Sequence, residues 1–195
     1  MSAGGNDIAL KASLCTILSL LCLHCFSTSF CIEDFSCGYP LPCEDDLAGC
    51  ASNCFAFPCG YGYFLHLLRT KIEHYILKLT HRKNPKLVIV CMLYYLDEHC
   101  SGTSWADRTL SALSYNSNPS KVQTLLKQLF HQAISKIKIP GCRVIPVPLF
   151  ESLDGKTTED YVQRVEPSAI GGRKMAKQLV DVIDQAASEG FAETC

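Results

Sequence analysis

Apolar and polar positions in the C-terminal two-thirds of the chain follow two alternating patterns. Residues 61–82 and 120–137 place apolar side chains three and four positions apart, which predicts helices with one buried face. Residues 86–96 and 142–150 are apolar runs rich in β-branched and aromatic side chains, which predicts strands covered on both faces. The predicted order is helix, strand, helix, strand, and a last helix that begins near Ser168.

This order predicts an α/β fold in which parallel strands are joined by right-handed crossovers. Pro146 and Pro148 each remove a ladder donor from the second strand, so an outer strand or a local bulge is expected there. Two strands are too few for a stable sheet, and further strands are expected upstream or in the N-terminal part. The last helix is predicted to turn an apolar face inward, formed by Met175, Ala176, Leu179, Val180, Ile183 and Ala187.

The first 60 residues differ in composition, which predicts an irregular, hydrophobic and cysteine-rich segment before a domain of residues 61–195. Nine of the thirteen cysteines lie in this segment. Residues 12–32 are almost uncharged and are open to three interpretations: a signal peptide, a membrane anchor, or a buried part of a larger fold. The first two place the protein in the secretory pathway or at a membrane, and the third leaves it in the cytoplasm.

Residues 33–60 are interrupted by glycine and proline, which indicates a loop. Their cysteines would form disulfides in an exported chain. The spacing lacks the paired C-x-x-C pattern that indicates a zinc site. An incorrect start or an unspliced reading frame is a further explanation of so unusual a composition.

Charge and glycine patterns narrow the classes of function. A net charge of −1 and a pI near 6.6 give no electrostatic case for nucleic acid. Gly171 and Gly172 lack the flanking pattern of a phosphate or dinucleotide loop, so no cofactor is expected. No metal site is expected at residues 97–99, because neighbouring side chains on a strand point to opposite faces.

Charged residues follow both predicted strands. Asp97 and Glu98 come directly after the first strand, whereas Asp160, Arg164 and Glu166 lie in the loop after the second. Because open parallel sheets bind ligands at the carboxyl ends of their strands, we expect these side chains to share one rim. Two parallel strands in one sheet are the geometric condition for this site.

Two sequence blocks carry a resemblance to a known family. K-L-V-I-V-C-M-L-Y-Y-L-D-E (86–98) and V-Q-R-V-E-P-S-A-I-G-G-R-K-M-A (162–176) resemble blocks of the SGNH (GDSL-type) hydrolases, which are esterases and lipases. The resemblance implies a three-layer α/β/α fold with a parallel sheet, similar to flavodoxin. It covers roughly residues 61–190.

The resemblance also assigns positions to the family's catalytic residues. Asp97 falls on the last residue of the family's Gly-x-Asn-Asp block, with Leu96 in place of the oxyanion asparagine. Glu166 falls on the catalytic histidine and Gln163 on the triad aspartate. The sequence contains no Gly-Asp-Ser nucleophile block. The resemblance therefore implies an esterase whose catalytic blocks have diverged or are missing.

Two main functions remain open on these grounds. In an esterase, Glu166 would be the carboxylate base, Asp97 or Asp160 the orienting acid, and Arg164 and Glu98 the ligand contacts. The alternative is a non-catalytic domain on the same fold that binds a small-molecule ester or a glycan, or serves in protein interaction. A membrane tether through residues 12–32 is compatible with either function.

Overall fold

The computed structural model describes residues 60–83 and 85–192, and the predictions for residues 12–32 and 33–59 fall outside them. The helices are α1 (Tyr61–Leu65), α2 (Ile72–Thr80), α3 (Asp107–Ala112), α4 (Pro119–Gln132) and α5 (Ala169–Ala192). The strands are β1 (Leu87–Met92), β2 (Arg143–Pro148), β3 (Tyr161–Val162) and β4 (Glu166–Pro167). The described residues form two compact units, one of residues 60–83, 85–91 and 120–146 and one of residues 92–119 and 147–192.

The first unit begins with the predicted helix, which is confirmed from Tyr61 to Thr80. A π-helical segment, His66–Lys71, joins α1 to α2. Because a π turn holds an additional residue, the apolar positions rotate around the helix axis. Phe64 and Ile76 are buried, whereas Leu79 is exposed.

β1 and β2 pair in parallel within one sheet, which confirms the predicted mixed helix and strand class and the shared strand direction. Both strands are shorter than predicted. A 3₁₀ turn, Leu149–Glu151, ends β2, so the described sheet offers no strand beside the residues that follow Met92. The described sheet holds two strands, so both are edge strands there, and the further strands expected in the N-terminal part fall outside the described residues.

The predicted helix 120–137 is confirmed as α4 and a following 3₁₀ turn. Proline suits the first position of α4, because the missing N–H would have no partner there. Beyond α4, the apolar face continues through Ala133 and Ile134, which are buried. The Tyr61 hydroxyl donates to Gln132 Oε1 (3.0 Å), which attaches α1 to the end of α4.

The second unit ends with the hairpin of β3 and β4 and with α5. Tyr161 pairs with Pro167 and Val162 with Glu166 in antiparallel register. The Ser168 hydroxyl then accepts from the backbone N–H of Ile170 (3.1 Å). This contact is a helix N-cap and confirms the predicted start of the last helix.

The prediction for the inward face of α5 is wrong in part. Met175 and Leu179 are half-buried, but Ala176 and Ala187 are exposed, as are Val180 and Ile183. The face that packs against the unit instead carries Gly171, Gln178 and Ala186. Gln178 Nε2 donates to the carbonyl of Pro148 (3.2 Å), which fixes the rotation of the helix about its axis.

Candidate functional site

The segment 93–98 that follows β1 carries the first predicted site residues and is held by its backbone. Three of its N–H groups donate to the loop of residues 153–164: Tyr95 to Leu153 O (3.1 Å), Asp97 to Arg164 O (3.0 Å) and Glu98 to Gly155 O (2.8 Å). These bonds replace the ladder that β2 no longer provides. The segment is therefore held by backbone hydrogen bonds without belonging to a strand.

Tyrosine hydroxyls bind the carbonyls of the same segment. Tyr161 donates to Tyr95 O (2.7 Å) and accepts from the N–H of Gly155 (2.9 Å). Tyr115 donates to Leu96 O (2.6 Å). Burial raises the pKa of Tyr161, and burial also raises the pKa of Tyr95 to about 12. Both phenols are thus uncharged over the physiological pH range, although the Tyr95 hydroxyl has no hydrogen-bond partner among the described residues.

Arg164 is the centre of the site and is only 3 % exposed. Its Nη2 and Nε donate to the carbonyl of Asp97 (3.0 and 3.3 Å). Its Nη1 donates to Asp107 Oδ1 (2.7 Å) and to Asn116 Oδ1 (2.9 Å). One guanidinium therefore joins the segment after β1, the start of α3 and the turn after α3.

The backbone of Arg164 lies in the left-handed region, with φ of 70°, next to Gln163 at 52°. Such a conformation costs a residue other than glycine on the order of 1 kcal/mol. The tight turn between β3 and β4 requires it. The contacts of the guanidinium offset this cost.

Asp107 is the charged partner of Arg164. The hydrogen bond from Arg164 is the main reason that the pKa of Asp107 lies below its ordinary value of 3.8. Asp107 Oδ2 also accepts from the backbone N–H of Ser104 (3.0 Å), and the Ser104 hydroxyl accepts from the N–H of Ala106 (3.1 Å). These two bonds hold the turn of residues 104–107 that leads into α3.

Asp97, one of the predicted site residues, is 2 % exposed. Its Oδ1 accepts from the backbone N–H of His99 (2.9 Å) and from the Thr158 hydroxyl (3.4 Å). The first bond closes a local turn, a frequent use of aspartate in loops. Arg164 binds the backbone carbonyl of Asp97, so the two predicted residues meet through the main chain.

Asp160 is 1 % exposed, and its Oδ2 accepts from Lys174 Nζ of α5 (2.6 Å). Its Oδ1 is buried and has no hydrogen-bond partner in the described part of the chain. The carbonyl of Asp160 accepts from the N–H of Ser168 (2.8 Å) and lies against Gly171. A side chain at Gly171 would overlap this carbonyl oxygen.

The two predicted glutamates lie nearer to solvent. Glu166 is exposed on β4, and its charge adds to the burial that raises the pKa of Tyr94. The Tyr94 hydroxyl donates to Val165 O (2.7 Å), so the hairpin and the segment after β1 lie side by side. Glu98 is half-buried. The catalytic and ligand-binding roles of all five residues remain predictions.

Five residues of this site did not emerge from the sequence: Asp107, Tyr115, Asn116, Tyr161 and Lys174. A signal existed for Asp107, because Ser104-x-x-Asp107 is the sequence form of a capping box. Asn116 and Lys174 belong to pairings between distant segments, for which a single sequence carries no signal.

The first unit contains a separate apolar cavity of about 190 Å³ between α2 and β1, which is partly open to solvent beside the exposed Tyr75 and Leu79. The Thr80 hydroxyl at its rim donates to the carbonyl of Ile76 (2.8 Å). Burial raises the pKa of the Cys91 thiol, which keeps it uncharged. The other lining residues include Ile72, Leu79, Val88 and Val90.

No protein-family model, curated protein or solved structure matches this chain. The resemblance to the SGNH hydrolases therefore remains a prediction. Among the described helices, none is long and apolar enough to cross a membrane.

Proposed function

We propose that this chain is a non-catalytic binding domain with the three-layer α/β/α fold of the SGNH hydrolases. The parallel pairing of β1 and β2, with the β3–β4 hairpin beside the segment after β1, supports that fold. The use of the buried charged residues supports the absence of catalysis. Asp97 accepts a hydrogen bond from the backbone N–H of His99. Asp160 and Arg164 form ion pairs with Lys174 and Asp107.

Acyl transfer needs a nucleophile, a base and oxyanion donors at one place. A base must lie within hydrogen-bond reach of the group it deprotonates. Glu166 is exposed, and in the described part of the chain its carboxylate accepts no hydrogen bond from a hydroxyl or a thiol. The buried charged side chains instead bind other segments of the second unit, and these contacts are the main support for a non-catalytic function.

The apolar cavity of the first unit is the proposed ligand site. Its walls are hydrocarbon, and its hydroxyl is already bound, so a polar glycan would lose hydrogen bonds to water without replacement. An apolar cavity of roughly 150 Å³ binds a small aromatic molecule in other proteins. Of the two ligand classes considered, a small ester with a short apolar chain therefore fits this cavity better than a glycan.

The first experiment measures hydrolysis of p-nitrophenyl acetate by the full chain. We expect the rate of the buffer alone, unchanged by Glu166→Gln. Glu159→Gln is the matched control, since Glu159 is also exposed and lies in the same loop region. Turnover that disappears in Glu166→Gln and persists in Glu159→Gln would show that the protein is an esterase instead.

The second experiment measures thermal stability with ethyl butyrate and with a disaccharide. A ligand of the native state raises the melting temperature. We expect a rise with the ester, none with the disaccharide, and loss of the ester effect in Val88→Phe, which fills the cavity. Leu77→Phe is the control, because Leu77 is exposed and lies outside the cavity lining. An equal effect in both variants would exclude this cavity as the site.

A further inference from the structure

We propose that a second copy of this chain binds antiparallel to the exposed face of α5, which forms a symmetric dimer. This inference is independent of the ligand site. The exposed face is defined by Ala176, Val180, Ile183 and Ala187 and is called the α5 seam. Val180 is 52 % and Ile183 47 % exposed.

α5 has two apolar faces, and its own unit covers one of them. Gly171 and Ala186 are buried on the covered face, and Gln178 binds the carbonyl of Pro148 there. The α5 seam lies more than a third of a turn around the same helix from the covered face, and all four of its residues are exposed. A helix at the surface of a globular domain usually has one apolar stripe and one polar face. The second apolar stripe of α5 is therefore not expected in a protein that acts as a monomer.

The spacing of the seam is that of a coiled-coil contact. Its residues are separated by four, three and four positions, the alternation of a and d positions in a heptad. Alanine at both ends allows close approach of a partner helix, and Val180 and Ile183 occupy the centre. An antiparallel partner brings Val180 of one copy opposite Ile183 of the other.

Charge decides the identity and the direction of the partner. Lys177 and Asp184 flank the seam at equivalent heptad positions, seven residues apart, and both are exposed. Neither has an ion-pair partner among the described residues. In an antiparallel pair of identical helices, Lys177 of each copy lies beside Asp184 of the other, which gives two symmetric ion pairs. Residues at these positions set partner choice and orientation in coiled coils.

The seam covers about three helical turns, so the interface is at the small end of the range for specific complexes. We therefore expect a reversible dimer whose population rises with protein concentration. Flanking ion pairs at a solvent-exposed rim are screened by salt, so the dimer is expected to weaken as ionic strength increases.

The test is sedimentation velocity of the full chain over a series of concentrations. Lys177→Glu and Asp184→Lys each convert two attractive pairs into two repulsive ones, and each is expected to weaken the dimer roughly tenfold or more. The double variant restores opposite charges and is expected to recover the dimer. Lys127→Glu on α4 is the matched control, an exposed lysine outside the seam.

Recovery in the double variant distinguishes the proposal from a change in folding, because both substitutions are then present together. If the protein is a monomer at every concentration, the proposal is wrong. This outcome includes a monomer in which another segment of the same chain covers the α5 seam. A dimer that is indifferent to both single variants, or that the double variant fails to restore, overturns it as well.

Discussion

Replacing Arg164 by methionine is expected to destabilise the second unit strongly. Methionine keeps a Cβ and a similar length, so the cost of the left-handed backbone at this position is unchanged. The substitution removes two donors from the carbonyl of Asp97 and one from Asn116. Methionine has no hydrogen-bond donor that could replace these contacts.

The magnitude follows from those contacts. Hydrogen bonds from a charged donor contribute about 1.5–3 kcal/mol, and a buried acceptor left without a partner costs on the order of 1–3 kcal/mol. Arg164 and Asp97 are only 3 % and 2 % exposed, whereas Asn116 is exposed, so a loss of roughly 3 kcal/mol is expected, mainly from the contacts to the Asp97 carbonyl. Arg164→Lys is expected to recover only part of this, because an ammonium cannot reproduce the planar fork.

The assay is urea unfolding followed by the fluorescence of Trp105, the only tryptophan of the chain. Trp105 lies two residues before Asp107 and reports on this unit. With a slope of about 2 kcal/mol per molar urea, a loss of roughly 3 kcal/mol lowers the midpoint by about 1.5 M. Arg108→Met is the control, since Arg108 is exposed beside Asp107, and we expect little change. Equal midpoints for Arg164→Met and Arg108→Met would refute the role of the guanidinium.

Three further predictions concern stability. Gly171→Ala is expected to destabilise the protein by several kcal/mol in calorimetry, whereas Gly172→Ala, with open space around it, is expected to stabilise it by about 0.5–1 kcal/mol. Tyr161→Phe should remove from the absorbance titration at 295 nm a phenol that ionises only at high pH. It should also reduce stability below pH 10, since a raised pKa stabilises the fold until the pH rises through the pKa of the folded state. Tyr75→Phe, at an exposed position, should leave stability unchanged. Asp107→Asn should flatten the stability curve below about pH 4, because a lowered carboxylate pKa stabilises the fold above that range and the contribution disappears as the pH falls.

Local sequence patterns were sufficient to predict the order of helices and strands. The helix of residues 61–80 and the start of α5 at Ser168 follow from periodicity and capping, which depend on neighbouring residues. The parallel direction of β1 and β2 follows from the intervening helix. The end of β1 at Met92 did not follow, because it depends on where its partner β2 turns away.

The sequence also identified Asp97, Asp160 and Arg164 as candidates, because each lies after a strand. It could not assign their contacts. Arg164 reaches Asp107 across 57 positions of the chain, and Asp160 binds Lys174 of the following helix. Such pairings depend on how the loops fold over one another.

The apolar residues of α5 illustrate the same division. The sequence by itself determined that this segment is a helix with apolar residues around much of its circumference, because helical period and capping are local properties. Only the tertiary structure decided which face is covered, since burial depends on the rotation fixed by Gln178 and Pro148. The interior of the unit has room for only some of the apolar side chains of α5. The packing of the whole unit determines which of them remain exposed.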